Sequence, residues 1–214
     1  MKPVPSTQPT EKVRELLKRA LKETEQSSAE LAEAVQVPPK YIADLIAGRR
    51  KLPRPGRTDL YEGITSFLKL SRNELLTCAD AERAQAKPKP VIGPGPKVRK
   101  ELLALCEPAT AKKLARDRTK KGIAFLADLS QRVLDAAQRS TRRKLTDHVS
   151  LRGVARQGGS TYVAMRFKVL EFLDLTADTL TTRDVAEFLR PMIDFWDVDI
   201  ETGVLRVVLR PHQS

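Results

Sequence analysis

Arg49, Arg50, Lys51, Arg54 and Arg57 put five cations into nine residues, with no acid before Asp59. Guanidinium forks and an ammonium at this density suit phosphate oxygens, which they hold for affinity and register without reading a sequence. The remaining chemistry-bearing residues are weaker candidates. Asp194, Asp197, Asp199 and Glu201 gather near the end, and alternation along a strand puts the last three on one face. No histidine or glycine-bearing calcium loop accompanies them, so a solvated hairpin edge is expected and no metal. His148 and His212 are isolated, and Cys78 and Cys106 lack zinc-like spacing, so these four are read as structural and the thiols as reduced. No cofactor is expected.

The elements that must position these groups are mainly helical. In residues 27–50, Ser27 and Glu30 have the spacing of a capping box, and Leu31, Ala32 and Val35 share one face of the helix that follows. Pro38 and Pro39 open a second helix, where missing N–H groups cost little. Ile42, Leu45 and Ile46 face inward from it, and Gly48 can take the positive φ of a helix end. Val13, Leu16, Leu17, Ala20 and Leu21 predict an amphipathic helix before this pair. After it, Leu60, Ile64, Phe67 and Leu68 form another stripe, and Ser71 with Glu74 a second capping box. Five helices over residues 11–85 make a small all-α domain, preceded by an arm at 1–10. Residues 86–97, with four prolines and two glycines, read as a semi-stiff linker.

Beyond the linker, residues 98–214 are expected to form a second, mostly helical domain. Helical patterns run over Val98–Cys106 and from Thr110 to Leu145, with Ile123, Leu126, Val133, Leu134 and Ala137 as the buried side. Gly158-Gly159 marks a turn. Residues 161–174 fit helix or strand by pattern, and their length favours helix. A further helix runs from Thr182 towards Phe195, and a terminal β-hairpin turns at Thr202-Gly203.

The register from Glu30 to Arg50 resembles the lambda-repressor-like helix-turn-helix family, of the xenobiotic-response-element type. Glu30-Leu31-Ala32, Val37, Ile42, Leu45 and Gly48-Arg49-Arg50 carry the resemblance. It continues through Leu60–Ile64, Phe67–Ser71 and Asn73–Leu76, covering residues 11–80. It implies a DNA-binding transcriptional regulator whose second helix enters the major groove of double-stranded DNA, bound as a homodimer. Carried across by position, Pro39, Lys40 and Asp44 would face base edges and Ser28 a phosphate. Four departures bear on this, and the first is Ser28, which replaces a usual glutamine and shortens the phosphate contact. Gln36 stands at a usual turn glycine, so it either accepts a strained backbone or the turn differs. Pro39 cannot hydrogen-bond a base, and Asp44 would be repelled unless it accepts from a cytosine amino group. Lys40 is therefore the main reader.

Charge adds a second theme. The net charge of +12 favours polyanionic partners, and residues 95–168 carry 18 Lys and Arg against 6 Asp and Glu. A second DNA-contacting surface on residues 110–156 is one expectation. The alternative is an interaction protein, such as an antitoxin or phage-type adaptor, binding an acidic partner through the basic second domain. Some repressors of this length resemble a helix-turn-helix fused to a serine–lysine autoprotease. Ser130, Ser140, Ser150 and Ser160 lack the Gly-Asp-Ser-Met-like context of that chemistry, so no catalytic residue is expected and the chain is read as a non-enzyme. No run reaches the ~18 apolar residues of a membrane span, and the N-terminus lacks the apolar core of a signal peptide. A soluble cytoplasmic protein is expected.

Overall fold

The computed structural model describes residues 12–85 and 93–210. The expected arm at 1–10, linker residues 86–92 and His212 lie outside the described residues. In chain order the helices are α1 (Val13–Glu23), α2 (Ser28–Ala34), α3 (Pro39–Ile46), α4 (Leu60–Phe67), α5 (Arg72–Ala84), α6 (Pro96–Leu103) and α7 (Pro108–Arg116). They continue as α8 (Lys120–Thr146), α9 (His148–Gln157), α10 (Tyr162–Asp174) and a short α11 (Thr182–Asp184), then strands β1 (Ile193–Val198) and β2 (Leu205–Leu209). The described chain is thus mainly helical and ends in a two-stranded antiparallel hairpin. No helix among the described residues is long and apolar enough to cross a membrane.

The chain divides differently from an expectation based on the linker alone. Among the described residues, one compact unit combines 12–85 with 144–170, and the other combines 93–143 with 171–210. Residues 98–214 are therefore not one contiguous unit, because the segment from the end of α8 through most of α10 belongs with the N-terminal helices.

In the first unit, Val13, Leu16, Leu17, Ala20 and Leu21 are all buried, as helical spacing requires, and α1 packs on α3 and α5. Helix α2 packs on α3 and α4, and α4 on α5. Leu31, Ile42, Leu45, Leu60, Ile64 and Leu75 are at most 2% exposed, each burial contributing about 2 kcal/mol. The second capping box is only half made. Ser71 Oγ accepts from the Glu74 N–H at 3.2 Å, but the Glu74 carboxylate lies 2.7 Å from Arg19 Nη2 instead of returning to Ser71.

In the second unit, α6 begins at Pro96, inside the expected linker, since proline at the first helical position sacrifices no hydrogen bond. The expected long helix over 110–145 is broken. Asp117 accepts from the N–H and hydroxyl of Thr119, and Thr119 Oγ1 accepts from the Gly122 N–H, so residues 117–119 end α7 and cap α8. Ile123, expected to be buried, is 49% exposed. The helix starting at Thr182 does not reach Phe195. It widens into a π-helical turn at Val185–Leu189, and Phe195 lies in β1.

Trp196 ties this unit together. It is 1% exposed, its indole N–H donates to the Leu102 carbonyl at 2.9 Å, and its backbone pairs with residues 105–107. Gln138 Nε2 donates to the carbonyls of Phe172 and Leu175, and Phe172 stacks on Phe188 with centroids 4.2 Å apart. The hairpin turns through Gly203 at φ +69°. The acids near it do not share a face. Asp197 accepts from the Thr110 hydroxyl, Asp199 lies past the strand and accepts from the N–H groups of Glu201 and Thr202, and no metal-sized group of three ligands occurs among the described residues. Cys78 and Cys106 are buried and outside any disulfide. Burial, with the carboxylates of Asp197 and Glu107 nearby, pushes the Cys106 thiol up to about 12, so it stays protonated.

Candidate nucleic-acid interface

The α2–α3 pair is built from its caps inward. Ser27 Oγ accepts from the Glu30 N–H at 3.2 Å while Glu30 Oε2 accepts from the Ser27 N–H at 2.7 Å, so both orphan donors are satisfied. These bonds hold the Glu30 carboxyl below its ordinary value. The cap is therefore complete above the ordinary carboxylate range and is lost as pH falls through the lowered value. At the turn, Gln36 takes φ +56° and accepts the strained alternative, in the left-handed region that costs a non-glycine about 1 kcal/mol. The Val37 N–H returns to the Ala32 carbonyl, and Pro39 starts α3. At the far end Gly48 takes φ +72°, and the N–H groups of Arg49 and Arg50 both donate to the Asp44 carbonyl.

A Cβ on Gly48 would lie 3.3 Å from Arg14 Cδ as well as occupy that left-handed backbone. Gly48→Ala is expected to destabilise the first unit by about 1 kcal/mol, read as a lowered thermal midpoint by far-UV circular dichroism. An unchanged midpoint would mean the helix end relaxes without cost.

The nine candidate residues fall into distinct situations. Ser28, Pro39 and Lys40 are exposed at the starts of α2 and α3. Asp44, one turn after Lys40, is paired. Its Oδ1 accepts from Arg49 Nε at 2.8 Å and lies 2.6 Å from Nη2, so two of the candidate residues neutralise each other. Arg50 is half-buried, its guanidinium 5.1 Å from the Tyr41 ring centroid and 5.4 Å from that of Phe167. Its guanidinium thus lies within cation–π reach of two aromatic rings. Lys51 and Arg54 are exposed, and Arg57 is partly so.

The basic loop is rigidly supported. Leu52 and Pro53 are buried, and Arg83 Nη2 donates to both of their carbonyls and to the Tyr61 hydroxyl. Tyr61 Oη itself donates to the Pro53 carbonyl at 2.8 Å. Anchoring Leu52 and Pro53 inward projects their neighbours Lys51 and Arg54 outward. A recess of about 300 Å³ beside the loop is lined by Lys12, Arg14, Arg50 and Lys51, with Glu82 turned to the Val13 N–H. Sequence spacing did not point to Lys12, Arg14 or Arg83, because their closeness to the loop is tertiary.

Helix α10 supplies a part that the N-terminal pattern did not announce. Arg166 is 4% exposed, and its Nε donates to the Val35 carbonyl at the end of α2 while Nη2 lies 2.9 Å from Asp59 at the start of α4. Tyr162 Oη donates to Gln36 Oε1 in the turn, Arg152 stacks over the Tyr162 ring, and Phe167 meets Tyr41 edge-on at 5.7 Å. Tyr41 is 3% exposed, a packing residue. The turn between α2 and α3 is thus braced from outside by α10.

Comparison with protein families, characterised proteins and solved structures finds no match to this chain.

Proposed function

We propose that this chain is a DNA-binding transcriptional regulator of lambda-repressor-like architecture, in which α2 and α3 act as a helix-turn-helix and α3 enters the major groove. The exposed start of α3, with Lys40 beside the anchored loop that presents Lys51 and Arg54, carries the proposal. Lys40 reads base edges, and Ser28, Lys51, Arg54 and Arg57 hold phosphates. Pro39 shapes the helix start and offers a base only apolar contact. Two linked half-sites bind far more tightly than one, so the working form is a homodimer on double-stranded DNA. Its place is the cytoplasm, and it needs no cofactor and performs no catalysis.

The test is fluorescence anisotropy of the full chain with a labelled random-sequence duplex at two salt concentrations. Binding that weakens steeply with salt supports the proposal, and absence of binding at low salt ends it. Lys51→Ala with Arg54→Ala is expected to weaken all sequences alike and to flatten the salt dependence by about 0.9 log unit per lost contact. Lys40→Ala is expected to relax base preference, at about 1–3 kcal/mol on the preferred site. A mass that stays monomeric with DNA present would remove the homodimer from the proposal.

A further inference from the structure

The second unit carries a groove that the DNA-binding proposal does not use. It lies between α6, α7 and the start of α8, has a volume of about 700 Å³, and is open to solvent. Its floor is apolar, formed by Leu103, Ala104, Ala111 and Ala115, with the 49%-exposed Ile123 at its edge. Arg99, Lys100, Lys112 and Arg118 stand among these residues, and no acid lines the groove. The neighbouring carboxylates are committed elsewhere: Glu101 to Arg190, Glu107 to the start of α7, and Asp117 to Thr119. Arg99 donates to the Leu114 carbonyl, but none of the four cations has a carboxylate partner among the described residues.

Apolar floor and cationic rim together specify an occupant with apolar and anionic faces. A DNA backbone would satisfy the rim but leave Leu103, the alanines and Ile123 facing charged oxygens. An open groove rather than an enclosed cavity fits a chain segment better than a small molecule. The alanines let such a segment approach closely. We propose that this groove binds an acidic amphipathic helix of a partner protein, its apolar face on the floor and its carboxylates on Arg99, Lys100, Lys112 and Arg118. A second copy of this chain fits less well. Its net-acidic stretch, residues 169–214 with 9 Asp and Glu against 4 Lys and Arg, already engages Asp184 with Thr181, Glu187 with Arg183, Asp194 with Arg210, Asp197 with Thr110 and Asp199 with the hairpin turn.

The experiment measures anisotropy of a labelled peptide with Leu and Ala on one helical face and Glu on the other, added to the full chain. Controls are the same peptide with Lys for Glu, and a scrambled acidic peptide without a face. The acidic amphipathic peptide is expected to bind, and the two controls at least tenfold more weakly. Lys100→Glu with Lys112→Glu, and separately Ile123→Asp, all at exposed positions, are each expected to weaken it tenfold or more. Lys40→Ala is expected to leave it unchanged, which separates this outcome from failure of the DNA proposal. Equal binding of amphipathic and scrambled acidic peptides would overturn the groove, as would no binding at all. So would groove variants that cut duplex DNA binding tenfold and spare the peptide, or that abolish self-association instead.

Discussion

Replacing Arg166 by alanine is expected to cost the first unit about 2–3 kcal/mol, the range for losing charge-assisted hydrogen bonds from a buried group. The side chain is 4% exposed and joins the Val35 carbonyl to Asp59, so its removal uncouples the end of α2 from the start of α4. Asp59 is 35% exposed and can regain water, which keeps the cost below that of a fully buried pair. Nη1 of Arg166 has no hydrogen-bond partner among the described residues, a desolvation cost that offsets part of what the other two nitrogens gain. The measurement is amide hydrogen exchange over residues 28–60. Emission of the single Trp196, which belongs to the second unit, serves as the internal control. Arg166→Met keeps the aliphatic stem and is expected to recover packing but not protection at Val35–Val37. A fragment ending at residue 85 lacks α10 altogether and would leave Tyr41 without Phe167. It is expected to show the same loss and more. Unchanged exchange in Arg166→Ala would mean that α10 rests on the helix pair without bracing it.

The reasons such a brace escapes the sequence are physical. The α2–α3 pair was legible because its determinants are local: Ser27 and Glu30 three residues apart, Pro38-Pro39 at a helix start, Gly48 at its end. The loop cations were legible by composition alone. In contrast, α10 reads YVAMRFKVLEFLD, with apolar residues around much of its circumference and no single stripe to mark a face. Its Arg166 pairs with Asp59 at a sequence separation of 107, a distance at which spacing carries no signal. The same reason hides Glu74, drawn to Arg19 from another helix, and Arg83, which anchors the loop from α5. Asp117 and Thr119 show the opposite failure. Their capping bonds are local, yet the apolar pattern on either side ran through them and favoured one long helix. Gln36 was legible as a departure from a glycine, but not its Tyr162 partner.

Removing the Asp44 charge is expected to tighten DNA binding. Arg49 offers a phosphate only its Nη1 side while Nε and Nη2 hold the Asp44 carboxylate at 2.8 and 2.6 Å. The pair is exposed on the arginine side, at 67%, so holding it together contributes at most about 1 kcal/mol. In the proposed binding mode the larger effect comes once Arg49 turns to a phosphate and leaves an unpaired carboxylate, one turn from Lys40, in the negative potential of the groove. Like charges a few ångströms apart near a surface cost on the order of 1–4 kcal/mol, so Asp44→Asn is expected to raise affinity for random-sequence duplex about tenfold or more. The released Arg49 adds a phosphate contact, steepening the salt dependence by about 0.9 log unit. Arg49→Ala is then expected to cost more in the Asp44→Asn background than in the original chain. A preferred site at which Asp44 accepts from a cytosine amino group would behave oppositely. There Asp44→Asn would lose affinity at one base position while gaining on all other sequences. If Asp44→Asn weakens every sequence, or Arg49→Ala costs the same in both backgrounds, the carboxylate does not restrain the basic loop, and Asp44 and Arg49 form a surface ion pair with no bearing on DNA.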